Sequence, residues 1–450
     1  MLKKIVAILL CCCIVSLAET VQIDSASQLI EWFNTHSDTS QVTIELTADI
    51  DFKKSGLKYP LGVSQGSCNP FSGSLKGREH KIKGLVMNNK NDNTCSSAGL
   101  FCGLKGAIVD DLVIDKSCKF TGVSAGALSV TITGSGTVNI LNVENNAEVN
   151  GELSVGGLIG YVDNKVNEKV ILEKCRNTGG VTASGNDAGG LIGHVENSKS
   201  TQVIIQNSYN IGVIKGAQVT GGFVGFFRNN DALTILLNKS INDNTVEGKD
   251  HTGGFLGYVE RATEGNVMMV TMTNNINKGH VKGTNMACGF FCSIDSQSDA
   301  PNSFIANNIN HGEVSGSDAY GFAPTVTGAF NDANLGKVSG THYSASFWKQ
   351  AKGIDTIVTM EEICQNCDGA VWAVKNENGA YDVTKTRMHV YDMLNWNVVR
   401  DQKWKVLSFW NSKLELQGME GNLNFAHSLA VSFTAVAFVF LVMIQGLFSQ

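Results

Sequence analysis

A short motif recurs eight times along this chain: a small residue, a glycine and then a short apolar stretch. The aligned glycines are Gly99, Gly126, Gly157, Gly190, Gly222, Gly254, Gly289 and Gly321. The steps between them are 27, 31, 33, 32, 32, 35 and 32 residues. A nearly fixed period of this size indicates a repeat architecture, in which each unit buries its apolar face only against its neighbours.

A second motif keeps the same period: Asn, two or three residues, Val or Ile, and then Gly. Its Asn residues are Asn145, Asn177, Asn210, Asn242, Asn277, Asn310 and Asn334. Val- and Ile-rich segments between Gly and Asn turns form strands rather than helices, and equivalent side chains of stacked strands lie about 4.8 Å apart. We therefore predict a column in which each Asn amide bonds to its copies above and below and to turn backbone. The alternative is that these residues are exposed turn formers.

The two motifs together predict an all-β chain: a single right-handed parallel β-helix, a solenoid of about 32-residue repeats. We assign the repeats to residues 71–345. Residues 19–70 form the N-terminal cap, with one short helix from Ser27 to Asn34 that begins at a Ser cap. Residues 346–417 form a Trp-rich C-terminal cap. Its tryptophans either cover the last coil or form a platform for sugar rings.

Both ends of the sequence resemble targeting signals. Residues 1–18 combine a basic start, an apolar run and a small-residue cleavage site, which predicts a signal peptide. The stretch from Leu429 to Phe448 is long enough to span a bilayer, and no charged residue follows it. Residues 418–450 therefore indicate a glycolipid-anchor signal, or else a retained transmembrane helix. Either reading places the repeats outside the cell, on its surface. The candidate lipidation residues are Gly418, Gly421 and Asn422.

Charge and cysteine content limit the cellular compartments and the classes of partner that are compatible with the sequence. Removal of residues 1–18 takes two positive charges from a formal net charge of −6 and leaves −8. An acidic chain without a basic cluster argues against a nucleic-acid partner. Nine cysteines remain, which fits an oxidising compartment and predicts disulfides. Cys364 and Cys367 favour a local disulfide over a redox pair or half a zinc site. Cys288 and Cys292 either form a bridge or fill the core.

The sequence holds a single Asn-X-Ser/Thr sequon, at Asn238. It follows a predicted strand, and a glycan there requires the side chain to face solvent. We therefore predict Asn238 as a glycosylation site.

No motif of known chemistry accompanies the repeats. The Gly pairs fit neither the dinucleotide fingerprint nor the P-loop, and there is no zinc-protease motif and no nucleophile elbow. The acidic pair Asp110-Asp111 lacks accompanying basic motifs, and His280 and His311 are interpreted as turn residues rather than a metal pair. We therefore assign no catalytic residue, no metal ligand and no cofactor from the sequence.

Several segments resemble the GLUG-motif, adhesin-like right-handed β-helix proteins. The core motif is similar at Gly157-Leu158-Ile159-Gly160 and at Gly190-Leu191-Ile192-Gly193, and the opening is similar at Ala48-Asp49-Ile50-Asp51. The resemblance implies the β-helix fold over residues 24 to 416. It also implies a cell-surface interaction protein whose ligand is an extracellular protein or a glycan, on a host cell or in matrix.

The alternative function is a glycan-processing β-helix enzyme, similar to a polysaccharide lyase or hydrolase. Such an enzyme needs clustered carboxylates, or a carboxylate with a basic group, on one face. Three or more acidic and basic side chains that converge in one lateral groove would favour the enzyme. A smooth face of Asn, Thr, Ser and isolated aromatics would favour binding.

Overall fold

The structure is a computed structural model. It describes residues 19–164, 168–197, 201–229, 233–261, 268–292, 304–306, 308–324, 329–330, 333–334, 337–340, 342–344, 404–408 and 413–416. The predicted fold class is confirmed: coils of short strands stack in parallel and form a β-solenoid. The helix of the described part spans Ala26–Thr35.

A central coil visits four sheets in turn, which we number I to IV. Sheet I is the widest and has 19 strands. Its strands are Glu19–Ile23, Val42–Leu46, Ile50–Asp51, Ser74–Lys76, Lys81–Lys83, Ile108–Ile114, Gly136–Asn145, Glu168–Glu173, Arg176–Asn177, Thr201–Gln206, Tyr209–Asn210, Leu233–Asn238, Ile241–Asn242, Met268–Thr273, Ile276–Asn277, Phe304–Ala306, Ile309–Asn310, Ala329–Phe330 and Ala333–Asn334.

Sheets II, III and IV contain nine, eight and six strands. The strands of sheet II are Val86–Asn88, Lys119–Thr121, Glu148–Gly151, Val181–Ala183, Ile214–Lys215, Val246–Gly248, Val281–Gly283, Val314–Ser315 and Val338–Ser339. Those of sheet III are Ala125–Gly126, Ser154–Gly156, Asp187–Gly189, Val219–Gly221, His251–Gly253, Met286–Cys288, Asp318–Tyr320 and His342–Ser344. Those of sheet IV are Phe101–Leu104, Ser129–Thr133, Ile159–Asn164, Ile192–Asn197, Val224–Asn229 and Leu256–Arg261.

The core fills the inside of the coils. Alternate side chains of each strand point inward, so that Val203 and Ile205 are fully buried while Ile204 between them is not. At the apolar position of the glycine motif, aromatic rings stack from coil to coil. The ring centroids of Phe223 and Phe255 are 4.7 Å apart, and the ring planes differ by 3°. The period of the sequence is therefore the period of the core.

The N-terminal helix covers the start of this core. It buries Leu29 and Trp32, and the ring of Phe33 lies 5.7 Å from that of Phe71 and 5.6 Å from that of Phe101. Ser27 lies inside the helix rather than at its cap. Ser25 occupies the cap position, and its side chain makes no capping hydrogen bond.

Two antiparallel hairpins lie outside the four sheets. Val63–Ser64 pairs with Ser67–Cys68, and Trp404–Ser408 pairs with Lys413–Leu416. The rest of the predicted Trp-rich cap lies outside the described residues, as do the predicted signal peptide and the tail at 418–450. Among the described residues, no helix is long and apolar enough to cross a membrane.

Disulfides are present, as predicted. One joins Cys68 to Cys102, and the other joins Cys288 to Cys292. In the described part of the chain, Cys95, Cys118 and Cys175 are unpaired. The pair Cys364 and Cys367 lies outside the described residues.

Candidate functional site

Sheets III and IV meet at a tight glycine turn. A Cβ added to Gly189 would lie 1.8 Å from the carbonyl oxygen of Ile192 and 2.7 Å from the amide nitrogen of Gly225. The backbone around Gly189 therefore leaves no room for a Cβ. Because the chain folds back so closely here, side chains on the outer faces of the two sheets touch across the turn. We call this concave outer surface of sheets III and IV the elbow.

An aromatic column runs along the sheet IV side of the elbow. Tyr161, His194, Phe226 and Tyr258 occupy equivalent positions in four successive coils. Successive ring centroids are 5.2, 4.9 and 5.7 Å apart. His194 and Phe226 are nearly buried, whereas Tyr161 and Tyr258 at the two ends of the column are partly exposed. The column is therefore most accessible at its ends.

A row of charged residues lies beside this column, two positions further along each strand. Its members are Asp163, Glu196, Arg228 and Glu260. The Tyr161 hydroxyl donates a hydrogen bond of 2.6 Å to Glu196, and Arg228 Nε donates one of 2.9 Å to Glu260. Burial raises the pKa of Tyr161, and the hydrogen bond to the Glu196 carboxylate raises it further. The bond to Glu260 raises the pKa of Arg228. At neutral pH the elbow thus presents a neutral phenol in the column, beside carboxylates and a guanidinium in the row.

An Asp–His pair sits at the angle of the elbow. The distance between Asp187 Oδ2 and His194 Nδ1 is 2.7 Å, and the two side chains are only 8% and 11% exposed. In the tautomer that carries its proton on Nδ1, the imidazole donates a hydrogen bond to Asp187 Oδ2, and Nε2 is then a hydrogen-bond acceptor. Nε2 is buried and has no partner within the described part of the protein. Such a pair can accept a hydrogen bond or, if a reactant gains access, move a proton.

One further histidine lies two coils further along, on the sheet III side. The ring centroid of His251 is 4.8 Å from that of Tyr258. Burial lowers the pKa of His251, because the apolar surroundings disfavour the charged imidazolium. His251 is therefore a neutral group in the elbow at physiological pH.

The hairpin Val63–Cys68 closes the N-terminal end of the elbow. Below Tyr161 the column continues with two small residues, Thr131 and Gly103. A Cβ on Gly103 would lie 3.1 Å from Pro70 Cβ and 3.2 Å from Cys68 Sγ. The disulfide from Cys68 to Cys102 ties this segment to the first strand of sheet IV. Small residues thus separate the Tyr161 ring from the tied hairpin.

The predicted Asn residues lie inside the solenoid, not at the elbow. From Asn145 to Asn310 they are fully buried. Each Nδ2 donates to the Oδ1 of the next Asn, over 2.9, 2.9, 2.8, 2.7 and 2.7 Å. Each Nδ2 also bonds a carbonyl two residues on, as Asn210 does with Gly212 at 3.2 Å. Asn334 continues the strand register after Asn310. This column belongs to the framework of the fold.

A second buried polar column runs two residues before the first, and the sequence analysis missed it. Ser208 Oγ accepts from the amide of Cys175 at 3.1 Å, and Asn275 Oδ1 accepts from the amide of Ser240 at 3.0 Å. Its residue type changes along the chain, which hid the pattern. An alignment of the repeats on their ladder Asn residues would have shown small polar residues at this position. The members are Cys175, Ser208, Ser240, Asn275 and Asn308.

The other residues considered from the sequence do not form a site. Burial and the neighbouring Asp111 raise the pKa of Asp110, and Asp111 has a left-handed backbone with φ of 60°. His280 Nδ1 lies 3.6 Å from Glu313. Within the described ranges, no group of three His, Cys, Asp or Glu side chains could hold a metal ion. Asn238 lies on the outer face of sheet I, and Gly418, Gly421 and Asn422 lie outside the described residues.

Comparisons with known proteins found little. No family model matches the chain, and no curated protein matches it. Among solved structures, a Bacteroides ovatus protein provisionally assigned as an immunoglobulin A1 protease is similar, with 16% sequence identity and a TM-score of 0.33. The match covers 80% of this chain and 91% of that protein. A functional proposal therefore has to rest on the elbow itself.

Proposed function

We propose that this protein is a cell-surface protein that binds an extracellular glycan along the elbow. The observation that carries the proposal is the aromatic column with a row of carboxylates and one guanidinium beside it. Ligand sites combine apolar, often aromatic, lining with a few well-placed polar groups. The elbow has this composition on one continuous outer face. The predicted signal peptide and anchor would display that face outside the cell.

The chemistry of the elbow suits a hydroxyl-rich ligand. Carboxylates accept hydrogen bonds from sugar hydroxyls, and a guanidinium donates to sugar oxygens. Aromatic side chains provide an apolar surface with a polar tip. The Tyr161 ring contacts the ring of His194, and the residue on its other side is the smaller Thr131. The ring face of Tyr161 that looks toward Thr131 is therefore the place where we expect a sugar ring to stack.

The solenoid also repeats these groups at a fixed rise. Successive coils place equivalent side chains about 4.8 Å apart. A ligand that is itself a polymer can then contact several coils with the same kind of group. We infer that an oligosaccharide, rather than a single sugar, is the preferred ligand.

A glycan array with the full-length chain in mild detergent tests this proposal. We expect binding to a subset of oligosaccharides, and Tyr161→Ala should reduce that binding about tenfold, because it removes both the stacking surface and the partner of Glu196. Tyr161→Phe keeps the ring and should cause a smaller loss. Tyr209→Ala is the matched control, because Tyr209 is a partly exposed tyrosine on sheet I. The proposal would be overturned if the protein bound no oligosaccharide on the array, or if Tyr161→Ala and Tyr209→Ala reduced binding equally.

A second candidate function is glycan processing, and the Asp187–His194 pair is the observation that favours it. A carboxylate that orients an imidazole through Nδ1 is an arrangement used in general acid–base catalysis. Acidic and basic side chains do converge in the elbow. Within the described residues they pair largely with each other, and the Asp187–His194 pair is nearly buried. We therefore rank binding first.

Glycan processing is tested by a separate activity assay. The full-length chain would be incubated with polysaccharides, and new reducing ends and unsaturated products would be followed. If the elbow is catalytic, His194→Ala should abolish turnover, and Asp187→Asn should lower it strongly because the amide no longer fixes the Nδ1–H tautomer. Turnover that persists in both variants would exclude this pair as the catalytic one.

A further inference from the structure

A partly exposed aliphatic column crosses the outer face of sheet I. Ile171, Ile204 and Leu236 occupy equivalent positions in three successive coils. Their neighbours along each strand point into the core and are fully buried, as Val203 and Ile205 are. The three side chains therefore face outward, where each is partly exposed. Contiguous apolar surface on an outer face usually has something that covers it.

Asn238 stands directly beside this aliphatic column. It lies two residues after Leu236, on the same face of the strand, and its register partners are Gln206 and Thr273. It is also the Asn of the single Asn-X-Ser/Thr sequon in the chain. The sequon and the apolar surface are therefore neighbours on one face.

The amide of Asn238 has a fixed orientation. Its Oδ1 accepts hydrogen bonds from Thr273 Oγ1 at 3.0 Å and from Asn274 Nδ2 at 3.3 Å. Both donors belong to the following coil, so the carbonyl side of the amide faces that coil. Nδ2, the atom that carries an N-linked glycan, makes no hydrogen bond within the described part of the chain. On its other side, the register partner of Asn238 is Gln206, which lies two residues after Ile204 in the preceding coil.

The rest of the sequon is compatible with a modified Asn238. Ser240 is buried, and its hydroxyl donates to the carbonyl oxygen of Asn238 at 3.1 Å. That hydroxyl is engaged in the folded protein, so the sequon has to be recognised on the unfolded chain. A glycan attached then would need no rearrangement of the Oδ1 contacts, because these use the other atom of the amide.

We propose that Asn238 carries an N-linked glycan whose first sugars lie over the aliphatic column of Ile171, Ile204 and Leu236. The glycan starts at Nδ2 and runs toward the preceding coils, over the side chains that need cover. The C–H faces of its sugars contact the aliphatic groups, and its hydroxyls face water. The glycan thus keeps this face of sheet I from associating with other chains.

The test uses the full-length chain, produced by a eukaryotic secreting host and purified in mild detergent. Glycopeptide mass spectrometry should find Asn238 occupied. Enzymatic trimming of the folded glycoprotein to a single sugar should raise the fluorescence of a bound apolar dye and shift the protein to a faster-sedimenting species. The trimmed double variant Ile204→Thr/Leu236→Thr should show neither change, because its outer face is polar.

Each result decides the inference. An unoccupied Asn238 overturns it. So does a trimmed protein with unchanged dye fluorescence and sedimentation, or a trimmed double variant that still changes both. Because trimming acts on protein that has already folded, the experiment does not depend on whether Asn238→Gln is secreted. The elbow lies on other sheets, so glycan binding there stands or falls separately.

Discussion

Gly190→Ala is expected to prevent the central coils from stacking. A Cβ at this position would lie 2.0 Å from the carbonyl oxygen of Gly222 and 2.7 Å from Asn210 Oδ1. The first contact is with backbone of the next coil, so no side-chain rotation can relieve it. Overpacking of this kind costs about 3 kcal/mol or more in free energy of unfolding. Thermal unfolding followed by circular dichroism should show a large loss, or no cooperative transition at all.

Gly180→Ala is the matched control for this steric argument. Gly180 lies in the same coil, and a Cβ there would meet nothing within 4 Å. We expect its free energy of unfolding to stay within about 0.5 kcal/mol of the parent protein. Equal melting temperatures for the two variants would show that coil spacing adapts to a methyl group. The close approach between coils would then not explain the glycine motif.

Asn210→Leu is expected to have the second-largest effect. The Asn210 amide accepts from Asn177 at 2.9 Å, and it donates to Asn242 at 2.8 Å and to the Gly212 carbonyl at 3.2 Å. Leu cannot replace any of these bonds, and the stranded groups are buried. Each unsatisfied buried polar group costs about 1–3 kcal/mol, so we expect a total loss of about 3 kcal/mol in chemical denaturation.

Gln202→Leu provides the comparison. It removes an amide of similar type from an exposed position on the outer face of sheet I. Its effect on the free energy of unfolding should stay within about 0.5 kcal/mol. A small effect for Asn210→Leu as well would mean that the ladder bonds in the folded state are no stronger than bonds to water.

The solenoid could be predicted from the sequence because the residues that define each coil recur as the same amino acids. The glycine of the turn has no substitute where a Cβ would strike backbone. An Asn repeats in the inner column because only a side chain with both donor and acceptor can bond copies of itself in both directions. Because each coil makes the same close backbone contact at this position, the residue is glycine each time, as at Gly157, Gly190, Gly222 and Gly254.

The elbow could not be predicted in the same way because the residue type at its equivalent positions varies from coil to coil. Tyr161, His194, Phe226 and Tyr258 are equivalent in space but alternate between tyrosine, histidine and phenylalanine. Asp187 and His194 are seven residues apart in sequence, and their contact depends on how sharply Gly189 and Gly190 bend the chain between them. The acidic pair considered from the sequence, Asp110-Asp111, lies on sheet I and not at the elbow.

The helix at the start of the chain has a consequence for self-assembly. A stack of parallel strands ends in unpaired backbone groups and an exposed slice of core, and such an end can template the addition of another chain. Here the rings of Phe71 and Phe101 at that slice are already in contact with Phe33 of the helix. A second molecule could add coils at this end only by displacing the helix. We therefore expect the helix to oppose fibre growth from the N-terminal side, from within the same chain.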